Sequence, residues 1–244
     1  MLFETKNLSK NFGGLQVLNH LDLSLPEGQL TSIIGPNGAG KTTLFNVISG
    51  RFSPSSGQVF FKGKDISGLK PHVISQMGLV RSFQITNVFT FLTVRENVRL
   101  ACQSRLQQKV SLLKPAASFG LEKKTRDILE RIGLLPHEDK LAGELSHGDQ
   151  RHLEIAMALA TNSKLLLLDE PTSGMSPAET VETMDLIQEI SKTVTILLIE
   201  HDMNLVMNIS QKIIVLDYGN KIAEGTPEEI EKHPEVRRVY LGEA

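Results

Sequence analysis

Residues 33 to 43 read IIGPNGAGKTT: two apolar residues, then Gly35, Pro36, Asn37, Gly38, Ala39, Gly40 and Lys41, then Thr42 and Thr43. This is the spacing of a phosphate-binding P-loop. A triphosphate has to be wrapped by backbone N–H groups, and Gly35, Gly38 and Gly40 let the main chain come close. Lys41 supplies an ammonium between the β- and γ-phosphates, Thr42 a hydroxyl for Mg²⁺, and the helix that follows points its positive dipole end at the anion. An ordinary glycine-rich turn would not need the apolar Ile33 and Ile34 before it, nor the helical pattern Leu44, Val47, Ile48 closed by Gly50 after it.

Further residues of chemical interest lie downstream. The run LLLLDE ends in Asp169 and Glu170, two acids after four leucines, at the strand end where parallel sheets place their sites. The run VTILLI ends the same way, at Glu200 and His201, which raises His201 above an ordinary structural histidine. Gln84 follows the apolar-flanked run Leu79 to Phe83. In ELSHGDQR, Ser146 caps a helix carrying Leu153, Ala156 and Leu159; alone this is a capped amphipathic helix whose start is a second anion-binding end. Phe12, in SKNFGG, is either a base-stacking aromatic or a core phenylalanine.

The elements that must position these residues follow from local pattern. Leu2 to Leu30 reads as short strands and tight turns, a β-rich edge that QVFFKG and a short helix around His72 extend. From Glu96 to Ile132 the pattern is helical, with Leu121, Thr125, Ile128, Leu129 and Ile132 at helical spacing and Gly133 as C-cap. Ser176, Pro177 and Glu179 form a capping box before a helix through Val181, Met184, Ile187 and Ile190, and Thr226, Pro227 and Glu229 form another. Between them come the strand IIVL, the turn DYGN and the strand KIAEG.

The 244 residues suffice for a sizeable core. Lys plus Arg number 26 against 28 for Asp plus Glu, so no surplus of positive charge neutralises a nucleic-acid backbone, and no nucleic-acid partner is expected. The only cysteine is Cys102, which excludes an intramolecular disulfide framework and a cysteine-based zinc site within one chain and fits a reducing cytoplasm. The start, MLFETKNLSKNF, has no signal-peptide pattern, and the longest apolar runs have strand length, so no membrane span is expected.

A P-loop strand, a glutamine loop, a leucine-serine-x-glycine helix start, LLLLDE and a histidine after another strand, in that order over practically the whole chain, resemble the ATP-binding-cassette (ABC) ATPases. The resemblance implies an α/β P-loop NTPase core with a parallel sheet, an N-terminal antiparallel β lobe and a helical insertion. It implies one ABC ATPase domain over residues 1–244: β lobe and P-loop at 1–84, insertion and signature helix at 85–160, the remaining core at 161–244. The runs SFQITNVF, DEPTSGMSP, LLIEHDMNLVM and the ending DYGNKIAEGTPEEIEKHPEVRRVYLG are similar to ATP-binding subunits of branched-chain amino acid importers.

The roles implied by the family are specific. The loop amides and Lys41 bind ATP phosphates, Thr43 meets the α-phosphate, and Thr42, Gln84 and Asp169 serve Mg²⁺. Glu170 is the general base, with Gln84 and His201 placing the attacking water. Ser146 and Gly148 face the γ-phosphate on a second cassette, identical or homologous, so hydrolysis needs a dimer. Membrane permeases, fed by a periplasmic or extracellular solute-binding protein, complete the transporter, and the chain sits on the cytoplasmic face of the membrane. A groove at Val88, Phe89, Phe91 and Leu92 receives a permease helix; the competing expectation is that these side chains pack inside the helical lobe.

Three positions depart from the family pattern: His147 and Asp149 replace the usual glycine and glutamine, and Ser176 replaces a common aspartate. Serine still caps a helix but carries no charge to couple two sites. Within the family, lipopolysaccharide, lipid, urea and amide transport are the alternatives. DNA-repair, chromosome-organising or ribosome-binding cassettes add coiled coils, zinc cysteines or a second cassette, for which this chain has no room. A plain P-loop kinase or nucleotide switch needs neither Gln84, the Ser146 helix nor His201.

Overall fold

The structure is a computed structural model that describes residues 1–82, 88–105 and 120–241; Gln84 and its neighbours at 83–87 lie outside the described residues. The chain runs through strands β1 (Phe3–Phe12), β2 (Leu15–Leu25) and β3 (Leu30–Ile34), helix α1 (Lys41–Ile48), strands β4 (Ser56–Phe61) and β5 (Lys64–Asp65), helix α2 (Pro71–Met77) and strand β6 (Leu79–Arg81). Helices α3 (Val94–Gln103), α4 (Leu121–Ile132) and α5 (His147–Ala160) follow, then strand β7 (Leu165–Asp169), helix α6 (Pro177–Ser191) and strand β8 (Thr195–Ile199). Helix α7 (Met203–Ile209), strands β9 (Lys212–Asp217) and β10 (Asn220–Gly225), and helices α8 (Pro227–Glu231) and α9 (Pro234–Leu241) close the chain. Two compact units result: Met1–Arg81 with Lys164–Glu170 and Ile187–Ala244, and Ser82–Ser163 with Pro171–Leu186.

The first unit holds both sheets. One is antiparallel, in the order β2-β1-β4-β5. The other runs β10-β9-β3-β8-β7-β6, parallel throughout except for β10, which closes one edge by an antiparallel hairpin with β9. This is the α/β core with a β-rich lobe that the sequence order implies. All five residues of each of β3, β7 and β8 are buried, so these strands are covered on both faces and are mostly apolar rather than alternating, with Thr31, Ser32, Thr195 and Asp169 as their buried polar members. Leu44, Phe45 and Ile48 of α1 join Phe3, Phe61, Leu167 and Ile199 in one core cluster. Burial of each such side chain contributes about 1.5–3 kcal/mol.

Sheet order matters for chemistry because ligands of parallel sheets gather at the carboxyl ends of the strands. Strand β8 lies between β3 and β7. The P-loop after β3, Asp169 at the end of β7 and Glu200 after β8 therefore end on neighbouring strands.

In the second unit α3, α4 and α5 pack on one another. Local signals set their ends. Thr93 and Glu96 make a reciprocal capping box at the start of α3, Ser146 Oγ accepts the Asp149 amide at 3.1 Å at the start of α5, and Gly133 takes φ 79° after α4. Of the stretch expected to be helical from Glu96 to Ile132, Glu96 to Gln103 lie in α3 and Leu121 to Ile132 in α4, which begins after Gly120 at φ 64°, while residues 106–119 lie outside the described residues. On α6 the expected apolar face holds for Met184, Ile187 and Ile190, but Val181 is 57% exposed.

Candidate functional site

The P-loop is shaped by what surrounds each glycine. A side chain on Gly35 would place a Cβ 2.2 Å from the Leu216 carbonyl oxygen of β9, so this glycine is required by the sheet. Gly38 meets nothing within 4 Å but adopts φ 85°, and Gly40 combines φ 99° with a Cβ position 2.8 Å from the Val17 carbonyl. The β9–β10 hairpin supports the loop from behind: the Gly219 amide donates to the Ala39 carbonyl at 3.1 Å, and the Gly219 carbonyl accepts the Asn19 amide at 2.9 Å. The DYGN turn is legible in the sequence, but its contact with the P-loop is not.

Asn37, Gly38, Ala39, Gly40, Lys41, Thr42 and Thr43 line a cavity of about 220 Å³ together with Val17 and Glu170. Lys41 Nζ donates to the carbonyls of Gly35 at 2.5 Å and Pro36 at 3.1 Å. Burial pulls the Lys41 ammonium below its ordinary pKa, while the Glu170 and Asp169 carboxylates pull the other way. The cavity thus has an ammonium at its base, a carboxylate at its wall and a helix start, α1, along one side.

Glu170 sits in the left-handed region at φ 46°, a conformation rare outside glycine, asparagine and aspartate. Its amide donates to the Ile199 carbonyl at 2.9 Å, which ties the turn after β7 to the end of β8. Strain of this kind gathers at functional positions.

Asp169 is fully buried. Its Oδ2 accepts from Arg81 Nη2 at 2.8 Å, and its Oδ1 has no hydrogen-bond partner. Arg81 Nη1 in turn donates to Asn46 Oδ1 of α1 at 2.7 Å. Arg81 is a residue that reading by motif passes over; the signal was a charge closing the apolar strand Leu79–Val80.

His201 does not line the cavity: its side chain is 66% exposed, and Nδ1 lies 3.6 Å from Glu200 Oε2. Phe12 is 43% exposed, so the core reading of this residue does not hold; its ring meets Phe52 edge to face at 5.4 Å, with Lys10 Nζ over both rings. Ser146 and Gly148 belong to the second unit. There the Glu179 carboxylate accepts from the Gly148 amide and from the Ser176 amide and hydroxyl, contacts that together hold it below the usual carboxylate range, the Ser176 bonds foremost. Of the apolar group near the glutamine loop, Phe89 is 55% and Phe91 92% exposed, so these two do not pack inside the lobe. Buried Asn97 holds their loop: it accepts the Phe89 amide at 2.8 Å and donates to the Phe89 and Thr93 carbonyls at 3.1 and 2.9 Å.

The sequence profile of the family described as ABC transporter matches residues 18–173, the greater part of the chain. The chain belongs to the ABC transporter ATPase family. A second profile, described as branched-chain amino acid ATP-binding cassette transporter, matches residues 220–244 of the cassette. The high-affinity branched-chain amino acid transport ATP-binding protein LivG of Salmonella typhimurium is 44% identical to the cassette over 251 aligned positions, covering 100% of this chain and 98% of that protein. The corresponding protein BraF of Pseudomonas aeruginosa is 41% identical with the same coverage. Among solved structures, the ADP conformation of MJ1267, an ATP-binding cassette of an ABC transporter, matches with a TM-score of 0.84 at 33% identity over 99% of each chain. The dimeric bacterial cassette MJ0796 matches with a TM-score of 0.78 at 25% identity over 93% of this chain and 99% of that one. The cassette is an ATP-binding ATPase subunit of a transporter, and among its described residues no helix is long and apolar enough to cross a membrane.

Proposed function

We propose that this cassette powers the import of branched-chain amino acids through membrane permeases that it does not itself contain. The match of residues 220–244 to the branched-chain amino acid profile carries this reading, because that segment lies outside the part matched by the general ABC transporter profile. A second cassette completes each site, permeases dock on the second unit, a periplasmic or extracellular binding protein delivers the solute, and the cassette works from the cytoplasmic face of the membrane.

The phosphates of ATP lie along the amides of Asn37 to Thr43, with Lys41 between the last two. Glu170, on the wall of the same cavity, takes the proton of the attacking water, and His201 and Gln84 hold that water in line with the γ-phosphate. Phe12 offers an exposed face to the base. Ser146 and Gly148 bind the γ-phosphate held by the partner cassette. Once that phosphate is gone, so is the contact that joins the two.

The residues fit Mg²⁺. The ion favours a hydroxyl, one or two carboxylates and substrate phosphates over an all-protein cage, and no cluster of three metal-ligating side chains exists among the described residues. Thr42 and Asp169 supply such a pair, and the unpartnered Asp169 Oδ1 is a buried acceptor left for it. When bound, the ion neutralises charge that builds on the phosphates. Thr42, after β3, and Asp169, at the end of β7, would hold it from the same carboxyl-end edge of the parallel sheet.

Reconstitution with the permeases and binding protein tests the reading. Proteoliposomes should take up leucine with ATP, and Glu170→Gln should reduce ATP turnover by roughly two orders of magnitude or more while light scattering shows an ATP-dependent dimer. Uptake of another solute class but not of leucine would overturn the substrate; wild-type turnover in Glu170→Gln would overturn the base.

A further inference from the structure

Asp169 is at once fully buried and only half satisfied. It is fully enclosed at the end of β7. One oxygen, Oδ2, is held by Arg81 from β6, 88 residues earlier in the chain, and the other, Oδ1, is enclosed without a donor. Arg81 is itself fixed on three sides: Nη2 on Asp169 at 2.8 Å, Nη1 on Asn46 Oδ1 at 2.7 Å, and its guanidinium 5.8 Å from the centre of the Phe45 ring. Asn46 and Phe45 both belong to α1, the helix that opens with Lys41 and Thr42. A planar fork holds such an arrangement as lysine could not.

We infer that Arg81 is a positioning residue for the divalent cation: it grips Asp169 by Oδ2 and locks that carboxylate to the P-loop helix, so that Oδ1 alone is left to the ion. The inference rests on the reading of Asp169 as a cation-serving residue. Two roles can be told apart by sign. If Arg81 served only as a counter-charge, replacing it with a neutral residue would remove a positive charge from beside the cation and tighten cation binding. If it orients the carboxylate, the same replacement weakens cation binding, as loss of a partner behind a metal ligand does.

The experiment uses Mn²⁺ as the probe, with loss of the free-ion paramagnetic resonance signal at saturating ATP analogue as the readout. Arg81→Gln should weaken Mn²⁺ binding by roughly ten- to a hundredfold, while analogue affinity measured in a chelator stays as in the wild type. Arg81→Lys should recover part of the loss, and the Mg²⁺ concentration for half-maximal turnover should rise more than kcat falls. Unchanged or tighter Mn²⁺ binding in folded Arg81→Gln overturns the inference. Should that variant not fold, Asn46→Ala loosens the same fork without unpairing the buried acid; it should weaken Mn²⁺ binding in the same direction, and wild-type affinity there overturns the inference. A wild-type protein whose analogue binding takes up no Mn²⁺ would remove the reading of Asp169 itself, a distinct failure.

Discussion

Lys41 Nζ donates to the Gly35 carbonyl at 2.5 Å, so the ammonium closes the loop that it serves. Lys41 is 8% exposed, and among the described residues no second cation lines the cavity. Lys41→Ala should therefore weaken MgATP binding by roughly ten- to a hundredfold, the cost of losing charge-assisted bonds to phosphate. Isothermal titration giving wild-type affinity would contradict the placement of the phosphates.

Ser146 caps α5 through the Asp149 amide. Ser146→Arg should block ATP-dependent dimerisation while the isolated chain keeps its ATP affinity, at a cost of about 1 kcal/mol in stability from the lost cap. His147→Ala should matter less. If both variants lose monomer ATP affinity equally, this helix start serves its own nucleotide.

Phe89 and Phe91 stand exposed on a loop held by Asn97. An exposed apolar pair is suited to receive a partner helix. Phe89→Asp, or Phe91→Asp, should leave soluble ATPase activity within about twofold, as surface substitutions commonly shift stability by no more than about 0.5 kcal/mol, and should abolish co-purification with the permeases. Normal co-purification of both variants would place docking elsewhere.

His152 contacts Thr183 Oγ1 at 3.0 Å, and burial lowers its pKa, opposed by the Asp149, Glu182 and Glu179 carboxylates. Unfolded, the imidazole titrates near about 6.5. Below that pH the unfolded chain binds the proton more readily than the folded one, so this histidine's contribution is present above about 6.5 and lost as pH falls through its lower folded value. Melting temperatures at pH 5.5 and 7.5 should differ less in His152→Gln than in the wild type; equal differences would refute the assignment.

The sequence by itself determined the features written in short spans. The glycines and lysine of the P-loop, the capping boxes at Ser176 and Thr226, the Ser146 cap and the buried strands are legible because their interactions join residues three or four apart or repeat along one strand. That Asp169 and Glu170 belong at the end of a parallel strand follows from the same logic. Only tertiary structure decided that Arg81 holds Asp169, that the Leu216 carbonyl excludes a side chain at Gly35, that Glu170 turns left-handed against Ile199, that Glu179 reaches the Gly148 amide, and that Phe12 is exposed. Except at Phe12, these contacts join segments tens to nearly two hundred residues apart. The order β10-β9-β3-β8-β7-β6 brings most of them together, and strand order is set by how all the buried faces pack at once, which no local run of residues encodes.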